Sequence, residues 1–253
     1  MVSWDAVFAA DFHLQASDPE GIALACRFVD TCALRTRRIY LLGDVFDFWT
    51  SRALLRLLEL RTFFDALRSA AANGTELYFL PGNRDFNLNP AVGAEIGLRV
   101  CGEDLSVRLS ERSILLTHGD RFLLNDRSYQ RFKKVIRSAP ARFLAQNMPG
   151  RISCALARRL RRYSSSAVAR KRSMALAIVE SALKECFADG FDWVICGHVH
   201  RPQRRDYDHR RSLYVLPALQ EAGEFAVLKD GRLELSSPEG ESRPFPQIDT
   251  GGN

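Results

Sequence analysis

Five short polar clusters, each closing an apolar strand-like run, constrain this 253-residue chain more than any other feature. They are Asp11-Phe12-His13, Gly43-Asp44-Val45-Phe46-Asp47, Gly82-Asn83-Arg84-Asp85, His118-Gly119-Asp120 and Gly197-His198-Val199-His200. Of the five histidines in the chain, four sit in these clusters. Singly, each cluster has an ordinary structural explanation. D-x-H can be a satisfied pair, G-N-x-D a turn favoured by Gly and Asn, and H-x-H a strand with two exposed rings. In series they point to one metal site. Divalent ions of hard or borderline character take carboxylate and imidazole ligands, with an amide oxygen as neutral filler. Two such ions about 3.5–4 Å apart need a bridging ligand, for which Asp44 is the candidate. Glycines before the ligands let the backbone turn sharply. With no cysteine in the clusters, a structural zinc site is disfavoured.

The surrounding pattern predicts an α/β fold. Strands are expected over 6–10, 38–42, 76–80, 105–109, 113–117 and 192–196, with short strands near 213–216, 224–228 and 231–235. Helices are expected over 18–36, 52–72 and much of 126–188, the last interrupted near Pro140 and at Pro149-Gly150. Strands alternating with helices at the start, and a strand-rich end, predict two sheets. In open α/β sheets ligands bind beyond the carboxyl ends of the strands, where all five clusters fall. The expected organisation is one domain over 1–235 with a helical insert at about 122–175. From Ser236 onward a Pro-, Gly- and Ser-rich tail is expected to be poorly ordered.

Charge singles out the insert. Net charge is +6, yet residues 121–175 hold fifteen Lys or Arg and a single acid, Asp126, while the rest of the chain holds 21 bases and 29 acids. Such a basic face attracts nucleic acid, phosphorylated metabolites or an acidic membrane surface. Within it, Phe143, Leu144, Met148, Ile152, Leu156 and Leu160 lie among Arg142, Arg151, Arg158, Arg159, Arg161 and Arg162. This amphipathic basic pattern suits an acyl groove, a membrane interface, or a cap packed on itself. Few aromatics accompany the bases (Phe122, Tyr129, Phe132, Phe143, Tyr163), which argues against a nucleic-acid face that stacks bases. Mean hydropathy is −0.16 and no apolar run is long enough to span a bilayer. The Met1-Val2-Ser3-Trp4-Asp5 start has no basic n-region, so no secretory signal is expected. Six cysteines (26, 32, 101, 154, 186, 196) without C-x-x-C spacing read as reduced thiols. No Gly-x-Ser-x-Gly elbow or phosphate-binding P-loop occurs, which disfavours serine-hydrolase and P-loop ATPase chemistry. His209, in a charged turn, reads as a surface residue. Asp47 either orients a ligand or caps the following helix, and Asp85 either orients a ligand histidine or orients Arg84.

D-x-H, G-D-x-x-D, G-N-x-D, H-G-D and G-H-x-H together resemble the calcineurin-like metallophosphoesterases. The likeness runs from residue 11 to 200 and weakens past about 202. It implies a four-layer α-β-β-α sandwich of two mixed sheets, with the helical basic insert as a cap. It also implies two divalent ions, manganese by preference. Asp11, His13, Asp44 and His200 would hold one ion, and Asp44, Asn83, His118 and His198 the other. Asp44, Arg84 and His118 would be the catalytic groups. Many relatives in the wider family carry His after G-N, where this chain has Arg84, a residue that cannot give up its proton but can fork onto phosphate oxygens. Leu80-Pro81-Gly82-Asn83-Arg84-Asp85-Phe86, Leu42-Gly43-Asp44-Val45-Phe46-Asp47-Phe48-Trp49, and His118-Gly119-Asp120 followed by Asp126 and Tyr129-Gln130-Arg131-Phe132 are similar to the UDP-2,3-diacylglucosamine hydrolases of lipid A synthesis. So are Ser164, Lys171 and Ser173. That likeness implies substrate contacts by Asn83, Arg84, Asp126, Ser164, Lys171 and His198. Val168 stands where that family often has Asn. The implied reaction is attack of a metal-bound hydroxide on the diphosphate of UDP-2,3-diacylglucosamine, giving UMP and 2,3-diacylglucosamine 1-phosphate. The implied setting is the cytoplasm, peripheral to the inner membrane. Two other readings remain: a metallophosphodiesterase for a soluble nucleotide or nucleic acid, and a non-catalytic scaffold of the same fold. The complete set of seven ligands argues against the scaffold.

Overall fold

The computed structural model describes residues 3–122 and 180–248. The expected insert, with Asp126, Ser164, Val168 and Lys171, lies outside the described residues.

The chain begins with strand β1 (Ala6–Ala9), helix α1 (Pro19–Arg35), β2 (Arg38–Leu42), helix α2 (Arg61–Ala72), β3 (Glu76–Leu80), helix α3 (Pro90–Glu95) and β4 (Leu98–Val100). β1 to β4 lie parallel in sequence order. The next hairpin is β5 (Asp104–Leu109) and β6 (Arg112–Thr117). Resuming at residue 180, the chain forms helix α4 (Glu180–Ala188), β7 (Trp193–Cys196), β8 (Gln203–Asp206) and β9 (Ser212–Val215). The short helix α5 (Leu219–Ala222), β10 (Phe225–Lys229), β11 (Arg232–Ser236) and β12 (Ser242–Pro244) end the described chain. Two mixed sheets result, a seven-stranded one ordered β12-β11-β10-β1-β2-β3-β4 and a five-stranded one ordered β5-β6-β7-β9-β8.

Alternation along the strands builds the four layers. Side chains of a strand point to opposite faces in turn. Val7, Ile39, Leu41, Leu77 and Phe79 therefore meet Phe28 and Val29 of α1 and Phe63, Phe64 and Leu67 of α2. Their neighbours Phe8, Tyr40, Leu42 and Leu80 face the other way and meet Ile114, Leu116, Ile195 and Tyr214 of the second sheet. The outer face of that sheet, Leu115, Val194, Leu213 and Val215, is covered by Leu183 and Phe187 of α4. Helix–sheet–sheet–helix is the architecture expected from the sequence.

Helix α1 starts where its cap dictates: the Asp18 carboxylate accepts the Gly21 N–H at 3.0 Å, and Pro19 needs no donor of its own. Three local expectations differ. The stretch 52–72 is not one helix. Ser51 caps a separate 3₁₀ turn at Arg52–Arg56, and Leu57 is extended (φ −72°, ψ 117°), so the α-helix starts only at Arg61. The C-terminal strands do not make a sheet of their own. β10 pairs antiparallel with β1, and β9 pairs with β7. Residues 236–248, expected as a loose tail, carry β12, which pairs with β11, and Phe245, which is buried against Tyr214. The apolar anchor Phe245 outweighs the Pro/Gly composition around it. The strands β4 and β8 and the helix α3 are too short for periodicity to reveal.

Candidate metal centre

All five polar clusters leave the carboxyl ends of parallel strands: β1, β2 and β3 in one sheet, β6 and β7 in the other. Facing sheets bring the five loops together. The approach is close enough to require glycine. A Cβ on Gly82 would lie 2.2 Å from Asp44 Oδ1, and one on Gly197 would lie 2.5 Å from Ala10 Cβ and 2.7 Å from Asp11 Oδ2.

The backbone is bent to aim the side chains inward. Among the described residues, eight non-glycine positions have positive φ, and five of them are Asp11, His13, Asp44, His198 and His200. The other three, Ser110, Glu111 and Asp230, sit in hairpin turns. A left-handed residue costs about 1–2 kcal/mol, and such strain gathers at functional sites.

Two groups of donor atoms result: Asp11 with His13 and His200, and Asp11 with Asp44 and His118, each within 4.8 Å. In the first, His13 Nε2 and His200 Nε2 are 3.3 Å apart, and Asp11 Oδ1 lies 3.8 Å from His13 and 3.4 Å from His200. In the second, His118 Nε2 lies 3.7 Å from Asp44 Oδ2 and 3.1 Å from His198 Nδ1. The carboxylate common to both groups is Asp11. Asp44 lies between His118 and Arg84. Asn83 is on the same loop, between Gly82, which packs on Asp44, and Arg84, whose backbone N–H donates to Asp44 Oδ1 at 2.9 Å.

Several contacts fix these donors. Asp11 Oδ2 accepts the His198 backbone N–H at 2.8 Å. His118 Nδ1 donates to the Leu42 carbonyl at 2.8 Å, which leaves Nε2 free to ligate. Asp85, fully buried, accepts the N–H groups of Gly82 (2.8 Å), Asp44 (3.2 Å), Val45 (2.7 Å) and Phe46 (3.3 Å). It thus ties the β2 and β3 loops through their backbones rather than orienting a histidine or Arg84. Ser51 caps the 3₁₀ turn that follows Asp47. Asp47 itself pairs with the Arg84 guanidinium. That guanidinium also lies 3.6 Å from Asp44 and 5.4 Å from the Phe48 ring. Glu221 of α5, which no spacing in the sequence connects to G-H-x-H, bonds His200 Nδ1 at 3.1 Å. His209 is exposed, as expected.

The residues fit a divalent cation. Asp11 Oδ1, the oxygen that faces His13 and His200, is buried with no hydrogen-bond partner, which is costly unless something else satisfies it. The electrostatics agree. Burial drives His13 down to about 3 and, helped by the charge of His118, His198 down to about 4. Burial, with Asp85 and Asp11, drives Asp44 up to about 7. For His200, Asp11 and Glu221 overcome burial and lift it to about 9. His118 is raised against burial by Asp44, Asp11 and Asp120. Burial would raise Asp11, but the close approach of His200, with the charges of His118 and His13, holds it below the usual carboxylate range. Protons thus occupy part of a concentrated donor set that a dication would displace.

Of the residues expected at the site, Asp11, His13, Asp44, Asn83, Arg84, His118, His198 and His200 are brought onto these five loops. Asp126, Ser164 and Lys171 lie outside the described residues.

Comparison with known proteins agrees with this geometry. The family profile described as calcineurin-like phosphoesterase matches residues 6–202. A UDP-2,3-diacylglucosamine hydrolase of Photorhabdus laumondii is 30% identical over 235 residues, covering 91% of this chain and 98% of the relative. Proteins of the same name from Haemophilus influenzae and Proteus mirabilis are 27% and 29% identical, covering 88% and 90% of this chain and 98% and 97% of their own. Among solved structures, Yfce, a phosphoesterase from E. coli, shares the fold with a TM-score of 0.50 at 13% identity, covering 95% of this chain and 97% of that one.

Proposed function

Because the chain belongs to the calcineurin-like phosphoesterases and is a hydrolase of phosphodiester or diphosphate bonds, we propose that it cleaves the diphosphate of UDP-2,3-diacylglucosamine, giving UMP and 2,3-diacylglucosamine 1-phosphate. The observation that carries the choice of substrate is the likeness at about 30% identity along nearly the whole of both chains. The donor groups around Asp11 support the metal-dependent chemistry.

Asp11, His13 and His200 would hold one cation, and Asp44, His118, His198 and Asn83 a second, with Asp11 or Asp44 shared. Bound there, divalent ions, manganese by preference, supply Lewis acidity toward a phosphoryl oxygen and acidify a water. The protein's own groups do the rest. Neutral His13 and His198 offer lone pairs without first losing a proton at pH 7. Arg84, held by Asp47 and backed by Phe48, turns its remaining N–H groups to the developing phosphoryl charge. Buried Asp85 keeps the Asp44 and Asn83 loops in register with each other.

The insert between β6 and α4 leaves directly from the His118 loop through the turn Asp120–Phe122. We propose that residues 122–175 form a cap over the site, where Asp126, Ser164 and Lys171 contact the substrate and the mixed apolar and basic sequence receives its acyl chains. The same sequence supports peripheral contact with the cytoplasmic face of the inner membrane. No described helix is long and apolar enough to cross a membrane.

The test is turnover by the manganese-loaded protein of UDP-2,3-diacylglucosamine and of a simple phosphodiester in parallel. Release of UMP far faster than phosphodiester cleavage is expected. Phosphodiester cleavage with no UMP release would keep the metal centre and discard the lipid substrate in favour of a nucleotide or nucleic acid.

A further inference from the structure

The four-residue helix α5 lies outside all five motifs, yet it is fastened at three points, one of them next to Asp11. Ala218, just before it, forms a parallel bridge with Ala10, and the Leu219 N–H donates to the Ala10 carbonyl at 3.2 Å, next to Asp11. Leu219 is buried in the core of α1 and α2. Gln220 Nε2 donates to Asp18 Oδ2 at 2.5 Å, the carboxylate that caps α1 through its other oxygen. The helix ends at Gly223, which is left-handed (φ 67°) and donates to the Leu219 carbonyl at 2.8 Å. Ala10, Asp18 and the core thus hold the backbone that carries Glu221, whatever Glu221 itself touches.

From that support Glu221 Oε1 meets His200 Nδ1 at 3.1 Å. An ionised carboxylate only accepts, so His200 is the donor, and its neutral form is the tautomer protonated at Nδ1. The lone pair is then on Nε2, the atom 3.4 Å from Asp11 Oδ1 and 3.3 Å from His13 Nε2. His118 has the same arrangement in the other donor group, with Nδ1 donating to the Leu42 carbonyl and Nε2 facing Asp44. One ring is oriented by a backbone carbonyl, the other by a side chain on a separate helix.

We propose that Glu221 is a positioning residue for the cation held by Asp11, His13 and His200, fixing the tautomer and ring orientation of His200, and that α5 exists to present it. This rests on the metal-dependent reading above. A partner of this kind raises the basicity of a ligating imidazole, and its loss lowers metal affinity by about 10–100-fold. An ion pair this exposed contributes little to the fold itself.

The test is calorimetric titration of Mn²⁺ into the metal-free full chain, for the unaltered protein, Glu221→Ala and Glu221→Gln, with thermal melts of each before metal is added. Glu221→Ala is expected to weaken one cation site about 10–100-fold, with the melting temperature of the metal-free chain unchanged. Glu221→Gln, which keeps an acceptor oxygen, is expected between the two. Wild-type affinity in Glu221→Ala would overturn the proposal. So would an equal loss in both variants accompanied by a lowered melting temperature, which would mark a general structural role. A flat titration of the unaltered protein would instead remove the metal reading on which the proposal rests.

Discussion

Asp11 spends one oxygen on the backbone N–H of His198, 2.8 Å away, and leaves the other buried without a hydrogen bond among the Nε2 atoms of His13 and His200. The first motif of the chain is thereby joined to the last across 187 positions of sequence. One carboxylate both assembles the site and serves both donor groups.

Asp11→Asn separates these roles. The amide oxygen can still accept from His198, but the amide nitrogen then points a donor at the centre, where an acceptor is needed. The variant is expected to fold and to lose bound manganese at both donor groups. Metal analysis of the dialysed protein alongside its melting curve checks this.

Asp85 is a matter of stability. It accepts four backbone N–H groups in a fully buried position. Asp85→Ala leaves them unpaired, and each unsatisfied buried donor costs about 1–3 kcal/mol. With partial relaxation, a loss of about 3 kcal/mol or more in unfolding free energy is expected in urea titrations, along with loss of activity. A loss below about 1 kcal/mol would show that the loops hold without it.

Arg84 is a matter of rate. Its backbone bond to Asp44 survives any side-chain change, and its side chain is partly exposed. Arg84→Lys keeps the charge but loses the fork and the stacking on Phe48. A fall of about 100-fold in kcat is expected, in the range for removing one transition-state donor, with manganese stoichiometry unchanged.

Protonation and stability are linked at the same donors. His200, lifted to about 9, and His118, also raised, bind protons more tightly folded than unfolded. Their contribution is full below about pH 6.5, the unfolded histidine value, and is lost as pH rises through their folded values. The metal-free protein is therefore expected to lose thermal stability between pH 6.5 and 9. Manganese affinity should climb over the same window, because binding must expel those protons. Melting curves with and without Mn²⁺ across this range would show the two trends diverging.

Much of this was legible in the sequence because it is local. Short apolar runs such as Ala6 to Ala10 mark buried strands, and the polar clusters that follow them mark candidate ligands. What could not be read depends on tertiary contact. Glu221 reaches His200 only because the chain after β9 returns beside Ala10. Asp47 faces Arg84, and Asp85 faces backbone N–H groups, through loop packing that the motif spacing does not encode. β12 forms because β11 offers an edge and Phe245 a buried anchor, against the bias of its composition.

The most direct test is UMP release from UDP-2,3-diacylglucosamine as manganese is titrated into the metal-free protein, with Asp44→Asn beside it. No release without the cation, release rising to saturation as it is added, and none from Asp44→Asn is the expected result. Release by the metal-free protein, or undiminished release by Asp44→Asn, would contradict a cation-dependent diphosphate hydrolase built on these five loops.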